Sequence, residues 1–291
     1  KNLIKIAAAT YHVKSNLIFP CGTDVLFEPG VNFELDEKVS VLIRGSLNIN
    51  GTKKKPITIS AKNYLKPWGV IAVQGFQDKL STIKRSSNIS YLRISGGSEA
   101  YLNDIYYTGQ LSIFESDVDI DNSYFSNSFG DDALNVKRGE VLIKKTTFEN
   151  TASDAIDLDW CNGLVDSIYV NNTGINGDGI DISESKIVLN NSIFKNITDK
   201  AISLGEQSNL KTNNIMILLS NIGIASKDNS DAIVKNLILH STNLGLTAYQ
   251  KKRVFSSARI FVEDIFIFNT KVNIDRDKES TIKINNGWSS I

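Results

Sequence analysis

Acidic side chains recur at nearly constant spacing along the middle of this chain, and a lysine takes the next place in the series. The members of this series, separated by 22, 24 and 22 positions, are Asp132, Asp154, Asp178 and Lys200. A second acidic pair, Asp157 and Asp181, has the same 24-residue spacing. Carboxylates and an amine that recur in this way can transfer protons or bind a cation if the fold brings them together. The predicted catalytic residues are therefore Lys200, Asp178, Asp132 and Asp154.

The same acids predict a metal site. Like charges about 5 Å apart repel by a few kcal/mol at an effective dielectric constant near 20, so a cation, a raised pKa or Lys200 must offset them. Ca²⁺ prefers several carboxylate oxygens, and the predicted ligands are Asp154, Asp157, Asp178 and Asp181. The competing interpretation is structural, because Asp before Ala or Gly caps backbone amides where a turn becomes a strand.

These residues belong to a repeated segment. The sequence DALNV at 132–136 returns as DAIDL at 154–158, DGIDI at 178–182 and KAISL at 200–204, and fades through 222–225 and 244–247. A period this short, with aliphatic strand-like centres, indicates a solenoid in which each repeat is one coil. Stacking then places equivalent positions of successive coils in columns.

The strand pattern predicts a shallow groove along the stacked coils. If the aliphatic residues face inward, the small residues beside them are expected to face solvent as the groove floor. These small residues are Ala133, Ala155, Gly179, Ala201, Gly223 and Gly245. Such a groove suits an extended chain such as a polysaccharide. The predicted substrate-binding residues are Asp131, Asn135, Lys137, Asp159, Glu206, Lys227, Asp228, Tyr249 and Lys251.

An asparagine follows a large apolar residue or its neighbour in successive coils, which predicts a further column. Its members are Asn127, Asn150, Asn172, Asn196 and Asn221. Asn tolerates a left-handed backbone, and its side-chain amide can bond to the amide of the next coil. We expect this asparagine ladder to fix the register of the coils.

Short strands, an aliphatic interior and the asparagine ladder resemble the right-handed parallel β-helix of the pectate-lyase-like superfamily. The resemblance covers roughly residues 13–275 and includes FPCG at 19–22 and WGVI at 68–71. It implies an all-β, single-stranded right-handed parallel β-helix of about ten coils, each contacting only its neighbours. The expected organisation is one domain at 1–291, with N-terminal coils and cap at 1–60, regular coils with the acidic groove at 107–250, and a C-terminal cap at 276–291.

Two segments also resemble the acidic motifs of polygalacturonases, GDDAL at 130–134 and GDGID at 177–181. That resemblance implies inverting hydrolysis, in which an acid protonates the leaving group and carboxylates activate water. Asp131, Asp132 and Asp178 would take those roles. The motifs stand in the opposite order from the family's, and neither His12 nor His240 is followed by the glycine that the family has.

The superfamily implies a second mechanism, β-elimination or epimerisation of a uronic acid. This chemistry needs a cation to neutralise the substrate carboxylate and a base to remove the neighbouring proton. The acidic cluster would bind Ca²⁺ and Lys200 would be the base, because a bound cation reverses the local charge and helps to deprotonate the lysine.

The segments 199–206, 222–228 and 248–252 resemble a group of bacterial surface β-helix proteins that often accompany spore-coat-H-like kinases. This likeness implies a secreted or cell-surface protein, extracellular or periplasmic, and gives no reaction. A non-catalytic glycan-binding or cell-surface structural module therefore stays open beside the lyase, epimerase and glycoside hydrolase.

Composition narrows the choice of partner. The 291 residues contain 32 Lys and Arg and 32 Asp and Glu, so the formal net charge is zero. Because nucleic acids are bound mainly through a basic surface, we expect no nucleic-acid partner. We also expect no membrane span, because the chain lacks a run of about 18 apolar residues. The expected partner is a polysaccharide containing uronic acid, bound by a monomer.

Overall fold

The computed structural model describes residues 2–75 and 86–290, and every regular element among them is a β-strand. Contacts divide the chain into two compact units, Lys1–Ser153 and Asp154–Ile291. Both units consist of stacked parallel coils, about 12 in total against the ten predicted, so the predicted all-β parallel solenoid is confirmed. In the part of the chain that the structure describes, there is no helix long and apolar enough to cross a membrane.

The described residues of the first unit form nineteen strands. They are β1 (Asn2–Ile6), β2 (Thr10–Val13), β3 (Leu17–Phe19), β4 (Thr23–Phe27), β5 (Asn32–Leu35), β6 (Val41–Ile43), β7 (Leu47–Asn50), β8 (Ile57–Ala61), β9 (Ile71–Gln74), β10 (Ser86–Ser90), β11 (Leu92–Ser95), β12 (Ala100–Leu102), β13 (Ile105–Tyr107), β14 (Gly109–Phe114), β15 (Asp117–Asp121), β16 (Tyr124–Ser128), β17 (Asp132–Lys137), β18 (Glu140–Lys144) and β19 (Thr147–Thr151). Strands of successive coils pair in parallel, as β4 does with β7 and β5 with β8. The exception is the antiparallel hairpin β12–β13.

Alternating apolar and polar residues explain the strands of the first unit. In β5, Phe33 and Leu35 are buried while the intervening Glu34 is half-buried. Equivalent apolar residues of successive coils then stack inside, as the rings of Phe125 and Phe148 do with centroids 4.8 Å apart. Each coil thus buries its apolar residues against its neighbours.

Between residues 154 and 290 the second unit forms twelve strands. They are β20 (Asp154–Asp159), β21 (Asn162–Asp166), β22 (Tyr169–Thr173), β23 (Ile180–Ser183), β24 (Lys186–Gly205), β25 (Asn209–Lys227), β26 (Asp231–His240), β27 (Leu244–Tyr249), β28 (Arg259–Phe268), β29 (Val272–Arg276), β30 (Thr281–Ile284) and β31 (Gly287–Ser290). β20 pairs in parallel with β23, with Asp157 beside Asp181, as the 24-residue spacing predicts. β30 and β31, within the predicted cap at 276–291, pair in parallel with β28.

The small residues do not form a solvent-facing floor, so this expectation was wrong. Ala155 and Ala201 are fully buried. A Cβ atom built on Gly179 would lie 2.5 Å from the Phe194 ring, and one on Gly245 would lie 3.1 Å from the Leu239 side chain. The expectation failed because inward and outward residues do not alternate strictly at the start of the strand. Residues 155 and 156 are both buried, so two successive side chains point into the core.

The asparagine column is present but departs from the prediction at one position. Asn172 and Asn196 have left-handed backbones, and the aligned residue of the next coil is Leu219 rather than Asn221. The two coils are paired there at an offset of 23 residues, since Lys195 pairs with Leu218 and Ile197 with Ser220, whereas Asn221 would need an offset of 25. A second ladder was missed: Asn214 bonds to Asn191 at 3.0 Å, and Asn236 bonds to Asn214 at 3.3 Å.

A column of buried serines, which the repeat pattern did not predict, also links the coils of the second unit. The Oγ atom of Ser185 accepts from the backbone N–H of Cys161 at 2.7 Å. The N–H groups of Ser185 and Ser208 donate in turn to the Oγ atoms of Ser208 and Ser230, at 3.2 and 3.0 Å. These serines are almost completely buried, so each hydroxyl satisfies a backbone group that would otherwise lack a partner.

Candidate functional site

The candidate site lies in the second unit, on the strands that begin successive coils. It occupies the face opposite to the core residues Leu158, Ile182 and Leu204, and the middle of this face, at Ser203 and Ala225, is itself buried. Paired positions form two columns along this face. The first column is Asp157, Asp181, Ser203, Ala225 and Thr247, and the second is Asp159, Ser183, Gly205, Lys227 and Tyr249. The face therefore changes from acidic to basic and aromatic along the stack.

Lys200 and Asp178 form an ion pair at the start of these strands. The Lys200 Nζ atom lies 3.1 Å from Oδ1 and 3.3 Å from Oδ2 of Asp178. The Lys200 backbone N–H donates to the same carboxylate at 2.9 Å. Asp199 accepts a further hydrogen bond from the ammonium. The side chains of Lys200 and Asp178 are 14% and 7% exposed, so solvent screens the pair little.

Both partners of this ion pair have raised pKa values, for different reasons. Burial raises the pKa of Asp178 from 3.8 to about 6, Lys200 opposes the change, and Asp181 adds to it. Burial alone would lower the pKa of Lys200, but the carboxylates of Asp178 and Asp199 raise it above its ordinary value. Lys200 is therefore an ammonium at neutral pH, whereas Asp178 titrates near neutrality.

Three carboxylates meet at the acidic end of the face. One oxygen from each of Asp154, Asp178 and Asp181 lies within 4.8 Å of the other two, and carboxylate oxygens are the ligands that Ca²⁺ prefers. Each of the three carboxylates also accepts a backbone hydrogen bond, Asp154 from Asp178 at 2.7 Å, Asp178 from Lys200 at 2.9 Å and Asp181 from Ile182 at 3.0 Å. Asp157, the fourth predicted ligand, pairs with Asp181 in the sheet but is not in the group that the described residues form.

Lys227 is a buried lysine on the same face. Its exposed fraction is 7%, and Nζ donates to Ser203 Oγ at 2.8 Å, the one hydrogen bond of this ammonium among the described residues. The side chain reaches Ser203 across Gly205, where an added Cβ would lie 4.0 Å from Nζ. Because an ammonium has three donors, two remain available to an anionic group.

Glu206 links the face to the loop that follows β27. It accepts hydrogen bonds from Ser183 Oγ at 2.8 Å and from the Lys252 ammonium. Burial would raise the pKa of Glu206, but these hydrogen bonds and the charges of Lys252 and Lys227 outweigh it and lower the pKa. Glu206 is therefore a carboxylate at neutral pH, and it holds Lys252 over the face.

Asp228 holds the same loop through the loop's backbone. It is fully buried, and its Oδ1 accepts from the backbone N–H groups of Lys251 and Lys252, both at 2.7 Å. Its Oδ2 has no hydrogen-bond partner among the described residues. Asp228 therefore binds the backbone of the loop, and the side chains of Lys251 and Lys252 are exposed.

Tyr249 lies beside Lys227 in the sheet and near the ion pair. Burial raises the pKa of its phenol, Lys200 lowers it, and the carboxylates of Asp199 and Asp178 raise it. The net direction is upward, so Tyr249 keeps its proton at neutral pH. A phenol of this kind donates a proton or a hydrogen bond and does not act as a phenolate base.

The remaining predicted site residues belong to the first unit. Asp131 is exposed and its backbone N–H donates to Glu99 at 3.0 Å. Asp132 and Asn135 are buried, and the Lys137 ammonium lies 5.4 Å from the centroid of the Phe114 ring.

Sequence reasoning missed three contacts in the second unit. Asp199 shares the Lys200 ammonium, Ser203 holds Lys227, and Lys252 bonds to Glu206. The signal for the first was the acid immediately before Lys200. The second had no signal in the sequence, because it depends on the conformation of the Lys227 side chain.

Comparisons with known proteins establish the fold. No protein-family model matches the sequence, and no curated protein matches it. Among solved structures, a periplasmic alginate epimerase, AlgG, matches with a TM-score of 0.62 and 8% identity over 99% of this chain and 77% of its own. A GH87 α-1,3-glucanase catalytic domain in complex with nigerose matches with a TM-score of 0.52 and 10% identity over 98% of this chain and 65% of its own. These likenesses confirm a right-handed parallel β-helix.

Proposed function

We propose that the second unit binds an acidic polysaccharide and processes it by metal-assisted β-elimination or epimerisation. The observation that carries the proposal is the shielded Lys200–Asp178 ion pair beside the carboxylates of Asp154 and Asp181. A proton-transferring amine and a group able to bind a cation therefore occur together on one outward face. The alginate epimerase and the α-1,3-glucanase share the fold of this chain. The shared fold is compatible with the proposal, but the proposal rests on the site residues.

Lys227 is the proposed partner of the substrate carboxylate. The exposed fraction of Lys227 is 7%, and its ammonium donates to one hydroxyl, that of Ser203. It can therefore bind a carboxylate with little rearrangement. A fixed positive charge in a weakly solvated position stabilises the negative charge that develops when a proton leaves the neighbouring carbon. Lys252 and Lys251 would contact further acidic sugars along the same chain.

Lys200 is the proposed base. In the ion pair it is protonated, because Asp178 and Asp199 raise its pKa, and it must lose that proton before it can accept one from the sugar. Ca²⁺ bound by Asp154, Asp178 and Asp181 would withdraw the negative charge that holds the proton on Lys200. The chemistry therefore depends on the acidic group as well as on the lysine.

The two reactions share their first proton transfer and differ afterwards. In β-elimination the Lys200 amine takes the proton beside the uronate carboxylate, the C–H electron pair forms a double bond, and the bond to the glycosidic oxygen breaks. Tyr249 is proposed to protonate that oxygen, since burial raises its pKa and keeps the phenol neutral. In epimerisation a proton returns to the opposite face of the same carbon, and the chain length is unchanged.

The test is incubation of the protein with a panel of uronic acid polymers, with and without Ca²⁺. Absorbance of unsaturated sugars reports elimination, and proton NMR of the recovered polymer reports epimerisation. We expect Lys200→Ala to lower turnover by about 10²- to 10⁴-fold, the usual contribution of a general base, while binding in affinity electrophoresis is retained. Lys211→Ala is the matched control, because Lys211 is an exposed lysine of the same unit.

Each of the other possible results would assign a different function to this face. A folded Lys200→Ala protein with full turnover would remove the base assignment. New reducing ends without unsaturated sugars would indicate the glycoside hydrolase. Binding without any product from the parent protein would indicate a non-catalytic glycan-binding module, in which the ion pair is structural. If Ca²⁺ changes neither turnover nor melting temperature, the acidic group does not bind it.

The proposed substrate also fixes where we expect the protein to act. Acidic polysaccharides of this kind are extracellular or periplasmic, so we propose a secreted or cell-surface location and a monomeric state.

A further inference from the structure

A pocket of about 590 Å³ opens on the first unit, and none of its lining residues takes part in the proposed reaction. Its size lies within the range of about 300 to 1,000 Å³ that is typical of small-ligand sites. Three cations and two aromatic rings line it: Lys53, Arg93, Lys145, Tyr91 and Tyr124. We call this the Tyr91–Tyr124 pocket.

The stacking of coils builds the pocket from two columns. Arg93 pairs with Tyr124 on the outward face of β11 and β16. Tyr91 and Lys145 lie at the preceding corner, where both have left-handed backbones with φ values of 52° and 47°. Lys53 comes from the turn that the hydrogen bonds between Thr52 and Lys55 close. The position of each group is therefore set by the solenoid rather than by a long loop.

The charge of the pocket is unbalanced. Among the described residues, no acidic side chain lines it and none forms an ion pair with Lys53, Arg93 or Lys145. The nearby acid Glu149 instead accepts a hydrogen bond from the Tyr124 hydroxyl. Three uncompensated cations around one concave surface attract and concentrate anions.

The two tyrosines add an apolar, ring-shaped surface to this charge. The hydrogen bond to Glu149 raises the pKa of Tyr124 to about 12, so its phenol stays neutral and its ring is held in place. Aromatic rings contact the apolar faces of other rings, while the Arg93 guanidinium matches a carboxylate or sulfate with two parallel hydrogen bonds. The polar side chains of Asn122 and Thr147 complete the lining.

We propose that the Tyr91–Tyr124 pocket binds an anionic sugar residue of an acidic oligosaccharide, as a docking site separate from the face in the second unit. A simple inorganic anion uses the cations alone and leaves the two rings without a partner. A neutral sugar uses the rings and leaves the cations uncompensated. An anionic sugar engages both, which is why we commit to this class of ligand. The inference does not depend on whether the second unit is catalytic.

The experiment is isothermal titration calorimetry of the 291-residue chain with short uronic acid oligosaccharides, with neutral oligosaccharides of equal length, and with sodium sulfate. We expect Arg93→Ala with Lys145→Ala to weaken binding of the acidic oligosaccharide at one site by about tenfold or more, equivalent to about 1.4 kcal/mol. The control is Lys62→Ala with Arg138→Ala, which removes equal charge from the same unit, outside the pocket, and should change nothing.

Further arms keep the proposal open to refutation. Arg93→Lys retains the charge but not the planar fork, and we expect an intermediate loss of affinity with an unchanged melting temperature. Lys211→Ala, which removes an exposed lysine of the second unit outside the proposed site, should leave this binding intact. Sulfate or neutral oligosaccharide binding as tightly as the acidic oligosaccharide would overturn the proposal. Equal binding by the parent and by the Arg93→Ala, Lys145→Ala protein would also overturn it.

Discussion

Removing the ionisable group of Asp178 should change how stability depends on pH. The pKa of this carboxyl rises from 3.8 to about 6 in the folded protein because of burial. A folded-state pKa above the unfolded value means that the group stabilises the fold below about pH 4 and that this contribution is lost as pH rises through about 6. One pKa unit corresponds to about 1.36 kcal/mol. We therefore expect the free energy of unfolding of the parent, relative to Asp178→Asn, to fall by about 2–3 kcal/mol between pH 4 and pH 7.

The assay is urea unfolding of the parent and of Asp178→Asn at constant ionic strength, in buffer containing a chelator, at half-unit pH intervals. Lys200 titrates far above this range, since its pKa is raised. Asp277→Asn provides a control of opposite sign. Burial would raise the pKa of Asp277, but hydrogen bonds from Gln250, Ser280 and Glu279 lower it, so its stabilisation is lost as pH falls. A difference for Asp178→Asn that is flat or rises with pH would show that Lys200, not burial, controls this carboxylate.

Two backbone positions give further predictions, both measured by urea unfolding. Gly179→Ala should lower the free energy of unfolding by about 1–3 kcal/mol, because the new Cβ would lie 2.5 Å from both Phe194 and the Ala201 carbonyl oxygen. Gly205→Ala is the control, since the atom nearest to its new Cβ would be the Ser183 hydroxyl oxygen at 3.3 Å, which can move. Equal effects of the two substitutions would contradict the inward orientation of Gly179. Leu219→Asn should raise the free energy of unfolding by about 1 kcal/mol, because leucine at a φ of 56° is strained; no gain would mean that the strain is relieved locally.

The coil repeat could be predicted from sequence because each coil repeats the same local pattern. The spacing of Asp157 and Asp181 gave their pairing correctly. Their neighbours were assigned the wrong orientation, because a strict alternation of inward and outward residues was assumed. At residues 155 and 156 two successive side chains are buried, and a pattern based on period two cannot reveal such a bend.

The asparagine column shows a second limit. The sequence predicts that Asn221 follows Asn196, but the pairing of Lys195 with Leu218 and of Ile197 with Ser220 places Leu219 at the corner. A side chain without an amide at that corner gives no sequence signal. The ladder of Asn191 and Asn214 had the right spacing and was overlooked, because the prediction followed only the asparagine after each large apolar residue.

The charged groups of the site were partly predictable. Column spacing placed Lys200 one coil beyond Asp178, where the structure has their ion pair. Spacing along the chain could not reveal the balance between desolvation and charge, which depends on how deeply each group is buried. It also could not reveal that Lys227 reaches back to Ser203 across Gly205, since this contact depends on side-chain conformation.

The buried serines have a consequence for how this solenoid can change. Ser208 and Ser230 are 22 residues apart, while Ala258, which follows Ser230 at the same position of the next coil, comes 28 residues later. The additional residues belong to the loop at 250–257, and the strands on both sides keep their register. Loop length is therefore uncoupled from the packing of the interior. Lys251 and Lys252 lie on this loop. Under the proposed function, its exchange would therefore alter which polymer is recognised without requiring a new scaffold.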